Sequence, residues 1–69
     1  MNRHTYRVEP KLPKGYAVML TAQVEGEPEG AAVEIAAFVD RIEANAKAVE
    51  LVTADRDKGV DARLFQALQ

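Results

Sequence analysis

The stretch Pro28–Lys47, PEGAAVEIAAFVDRIEANAK, decides how the rest of the chain can be arranged. Ile35, Phe38, Val39, Ile42 and Ala46 recur at helical spacing, and Ala31 and Ala32 extend the stripe one turn back. Pro28 suits a first helical turn, and Glu25, Glu27, Glu29 and Glu34 favour the positive end of a helix dipole. Glu43 stands four residues before Lys47, a weakly stabilising pair. The spacing therefore predicts one amphipathic helix over residues 28–47, with a single apolar side that must be covered.

Upstream, the pattern changes period. Tyr16, Val18, Leu20, Ala22 and Val24 alternate with Ala17, Met19, Thr21, Gln23 and Glu25, the strongest strand signal in the chain. Thr5–Glu9 reads as a shorter strand, with Tyr6 and Val8 on one face. Between them, Pro10-Lys11-Leu12-Pro13-Lys14-Gly15 has turn chemistry, so the two strands form an antiparallel hairpin.

Downstream, two readings compete. In the favoured one, residues 48–54 form a strand, 55–59 turn with Gly59 left-handed, and Val60–Phe65 returns as a fourth strand. In the other, the helix runs on to Lys58, Gly59 caps it, and Asp61–Leu68 forms a second helix. The first is preferred because the second demands a helix well beyond the usual 8–20 or so residues. The expected fold is thus a small α+β domain spanning residues 1–69, an N-terminal hairpin with one helix packed on it and a C-terminal hairpin (ββαββ). The alternative is ββαα.

Composition excludes several chemistries. The chain has no serine, cysteine or tryptophan, so Ser- and Cys-based nucleophilic catalysis, thiolate metal sites and disulfides are all absent. The single histidine, His4, reads as a solvated terminal residue and cannot alone hold a metal. Asp55, Asp57 and Asp61 alternate as in calcium loops, but Gly59 stands where an oxygen donor belongs and Gln66 where the bidentate glutamate belongs. Gly15, Gly26 and Gly30 make no phosphate-binding fingerprint. Glu25, Glu27, Glu29 and Glu34 could do acid–base work only in a pocket, and their Gly-Pro-Gly surroundings describe an exposed loop. No cofactor, metal or catalytic residue is expected, and the chain reads as a non-enzyme.

Without an apolar N-terminal run or a membrane-length segment, a cytoplasmic location is the expectation. Small cores without disulfides are often reinforced by a partner subunit, which makes a homodimer the expected state. If the helix covers Tyr16, Val18 and Leu20, the other strand face (Ala17, Met19, Thr21 and Gln23) is left semi-apolar and suits a protein partner. The expected function is accordingly a protein-binding module, regulator or inhibitor acting through a sheet face or edge. The alternative rests on charge. Residues 1–24 carry Arg3, Arg7, Lys11 and Lys14 against Glu9, whereas residues 25–69 carry five basic and ten acidic side chains. A basic hairpin could contact nucleic acid, for instance as a ribbon-helix-helix dimer reading bases through Thr21 and Gln23.

Overall fold

The computed structural model describes residues 2–65. Four strands and one helix follow in the order β1 (Asn2–Pro10), β2 (Tyr16–Val24), β3 (Val33–Phe38), α1 (Arg41–Asp57) and β4 (Asp61–Phe65). The sheet order is β3-β2-β1-β4, with β1 antiparallel to β2, β2 antiparallel to β3, and β4 parallel to β1. The α+β class, the strand count and the N-terminal hairpin match the sequence reading. The order along the chain is βββαβ, with a mixed sheet in place of two hairpins. The second helix of the ββαα alternative does not form, because Asp61–Phe65 is a strand. Its remainder, with Leu68 and the Gln66 of the calcium-loop comparison, lies outside the described residues.

The helix predicted over residues 28–47 is divided. Residues 28–32 belong to the β2–β3 connection and Val33–Phe38 is β3, where the β-branched Val33 and Ile35 flank Glu34 and where Ala36 and Phe38 pack toward the core. The helix starts only after Asp40, whose side chain accepts a hydrogen bond from the Ile42 N–H at 2.9 Å. Asp40 and Glu43 have the spacing of a capping box, so the entry signal is present in the sequence. The glutamates assigned to the helix entrance belong instead to the β2–β3 connection and to β3.

At the other end, residues 48–54 continue the helix and are not a strand. Val60 N–H donates to the Asp55 carbonyl and Gly59 N–H to that of Arg56, the paired bonds of a Schellman cap. Gly59, at φ 84°, takes the left-handed position that this cap requires. The chain thereby turns into β4 beside β1.

The helix lies on one face of the sheet. Ala44, Ala48 and Val52 follow at intervals of four and are buried against Tyr6, Val18 and Ala62, with Tyr16, Leu20, Phe38, Leu51 and Leu64 packed around them. Small alanines on the helix allow its axis to come near the strands. The alternation read for β2 holds where the helix reaches, since Tyr16, Val18 and Leu20 join the core while Ala22 and Val24 remain exposed. At the β1–β2 turn, Gly15 has φ 103°, and a Cβ there would meet the Phe38 carbonyl oxygen at 2.7 Å. Only glycine lets the turn sit this close to the end of β3.

Candidate functional site

The register defines the face away from the helix row by row. Arg3 lies between Gln23 and Asp61, Thr5 between Thr21 and Arg63, Arg7 between Met19 and Phe65, and Ala17 between Glu9 and Ala37. Directly opposed residues share a face, so these rows form one surface. Among the described residues, no secondary-structure element covers it.

Arg7 stands at its centre. Its guanidinium carbon lies 4.9 Å from the centroid of the Phe65 ring, and its Nη1 donates to Glu9 at 3.3 Å. Arg7 Nε is out of reach of solvent and has no hydrogen-bond partner among the described residues. The arginine is thus held over the Phe65 ring and tied to Glu9, with Met19 opposite it on β2.

The residues expected to bind a partner are treated unequally. Met19, Thr21 and Gln23 lie on this face and are half-buried. Ala17 also belongs to it but is only 4% exposed, so it is not available for contact. Phe65, Arg63 and the Arg7–Phe65 stack were missed in the sequence. The signal was available only through the parallel β1–β4 pairing, which separates Arg7 and Phe65 by most of the chain and aligns them in one row.

The basic residues of the hairpin are mostly committed to carboxylates. Arg3 Nε lies 3.1 Å from Asp61, Arg7 bridges to Glu9, and Lys11 Nζ lies 2.8 Å from Glu34. Lys14 sits exposed in the turn. A polar cleft of about 330 Å³ opens at the far end of the face, lined by Asn2, Arg3, Gln23, Glu25, Gly26 and Asp61. Within it Arg3 is bonded to Asp61, and Gln23 donates to the Glu27 carbonyl.

The helix-covered side holds the other polar cluster. Tyr6 O–H donates to Asp55 Oδ2 at 2.6 Å, and His4 Nδ1 lies 2.9 Å from the same oxygen. His4 is therefore half-buried and partnered, contrary to its reading as a solvated terminal residue. Burial, then the hydrogen bond to Asp55, then the Asp55 charge push the Tyr6 hydroxyl up to about 12. The Tyr6 hydrogen bond holds the Asp55 carboxyl below its ordinary value against the opposing effect of burial, with His4 adding to it. The cluster ties β1 to the last turns of α1, which is a structural role.

Among the described residues, no group of three or more His, Cys, Asp or Glu side chains is placed to hold a metal ion, and no helix is long and apolar enough to cross a membrane. No protein-family model matches the chain, and no curated protein or solved structure matches it significantly.

Proposed function

We propose that the protein is a non-enzymatic binding module that docks another protein on the sheet face opposite the helix, acting there as a regulator or inhibitor. The observation that carries this reading is the Phe65–Arg7–Met19 row at the centre of a sheet face that no element of the described residues covers. Arginine and aromatic side chains dominate the energetically important contacts of protein interfaces, and methionine is enriched there. The flanking charges Arg3, Asp61, Glu9 and Glu34 form lateral pairs, so a partner meets a polar rim with few isolated charges to desolvate. Size and chemistry also fit a molecule that acts by occupying a surface.

The nucleic-acid reading has less support. Three of the four hairpin cations are bonded to carboxylates, and a phosphate backbone would compete with those pairs. Affinity capture from lysate of the source cells, wild type against Met19→Asp, tests the proposal. Loss of the captured partner from Met19→Asp with an unchanged circular dichroism spectrum is the expected outcome. Equal capture by both proteins counts against the docking face. Retention on heparin that falls steeply with salt favours nucleic acid instead.

A further inference from the structure

The two edges of the sheet are built differently. On β4, Asp61 and Arg63 place charges along the strand, and Asp61 is bonded to Arg3. On β3, the one charge is Glu34, and Lys11 neutralises it. Val33 and Ile35 are exposed on β3, and the apolar strip continues past the strand through Val39, 83% exposed, and Ile42, 76% exposed. Charged residues on an edge deter pairing with another strand, whereas an apolar edge with open backbone groups invites it. A single bulge, where Val18 pairs with Ala36 and Met19 with Glu34, blunts β3 at Ile35 and nowhere else.

We propose that β3 pairs antiparallel with β3 of a second copy of this chain, joining two four-stranded sheets into one. Charge selects this partner and this orientation. The connection entering β3 carries Glu27 and Glu29, while the turn beside its exit, held against Phe38 by Gly15, carries the exposed Lys14, Lys11 being engaged with Glu34. Antiparallel pairing sets the acidic end of each copy beside the basic end of the other; parallel pairing would set like against like. The two-fold arrangement also closes on itself, as stable homodimers do.

The core supplies the motive. Among the described residues, four of the seven buried apolar side chains are alanine, and Val18 is the largest that is fully enclosed. With no cysteine to form a disulfide, a core this slight gains most from a partner subunit. Antiparallel edge pairing keeps both helices on one side, so the opposite face stays open on both copies. The edge is a different surface from the docking face and stands or falls without it.

Sedimentation equilibrium at micromolar concentration, with circular dichroism as a check on folding, tests the pairing. Wild type should sediment as a dimer, and Ile35→Lys should weaken it about tenfold or more, through a cation placed on each side of the joint. Lys14→Glu and Glu29→Lys should each weaken the dimer several-fold, and the double variant should restore it. Met19→Asp, on the open face, should leave the mass unchanged. The proposal is overturned by a monomeric wild type, by open-ended polymers, or by a dimer that Met19→Asp dissolves and Ile35→Lys does not.

Discussion

The two faces of the sheet are written by the same strands and solve opposite problems. On the covered face, Tyr6, Val18, Leu20, Phe38, Ala62 and Leu64 meet Ala44, Ala48, Leu51 and Val52, and the main polar cluster, Tyr6–His4–Asp55, is closed by short hydrogen bonds. On the open face, Arg3, Arg7 and Lys11 are held by neighbouring carboxylates, and the large apolar side chains of its rows are Phe65 and Met19, with the small Ala17 and Ala37 beside them. Stability therefore resides on one face and is nearly independent of the other. That separation leaves the open face free to carry recognition, because its side chains can change without dismantling the core.

The separation is broken most directly at Val18, which has no solvent exposure. Val18→Asp buries a carboxylate with no cation beside it in the core cluster, a loss of about 4 kcal/mol or more. A domain with so few large buried side chains does not survive that loss. Circular dichroism should show an unfolded chain in water, and a folded Val18→Asp would mean that the helix does not seal this face.

A smaller effect tests the polar lock. Tyr6→Phe keeps the ring in the core and removes the 2.6 Å bond to Asp55, which should cost about 1–2 kcal/mol at neutral pH in urea titrations. The pH dependence has two limbs. Tyr6 rises from 10.0 to about 12 in the fold, so its contribution is full below pH 10 and lost as pH climbs through 12. Asp55 is lowered from 3.8, so its contribution is present above that value and lost as pH falls through the depressed one. Tyr6→Phe should remove the alkaline limb and reduce the acid limb. A variant as stable as wild type with the same two limbs would place the lock elsewhere.

How far each face could be read from the sequence follows from the range of the interactions that make it. The β1–β2 hairpin was legible because alternation from Tyr16 to Val24 and the Pro-rich turn are local signals. Its helix-facing set, Tyr6, Tyr16, Val18 and Leu20, was read correctly for the same reason. The helix was misplaced because Ile35, Phe38, Val39 and Ile42 satisfy a 3.6-residue period by coincidence, while Asp40-x-x-Glu43 marked the true start. β4 was foreseen as a strand but not as a parallel neighbour of β1, since nothing local tells a strand which edge it will join. The centre of the candidate site depends on that long-range choice. Met19, Thr21 and Gln23 were accordingly within reach of sequence reasoning, and the Arg7–Phe65 stack was not.

The stack offers the finest test of the comparison between faces. Arg7 sits 4.9 Å from the Phe65 centroid, and both residues are partly exposed, so an attraction of about 0.5–1 kcal/mol is expected between them. A double-mutant cycle with Arg7→Ala and Phe65→Ala isolates that coupling from the Arg7–Glu9 pair, which contributes equally to both sides of the cycle. Arg7→Lys should lose most of the coupling while keeping the charge, because an ammonium cannot lie flat over the ring. If the coupling is near zero, the ring and the guanidinium are not held together in solution. The open face would then lack its preorganised centre, and a partner would have to supply the order that this row otherwise provides in advance.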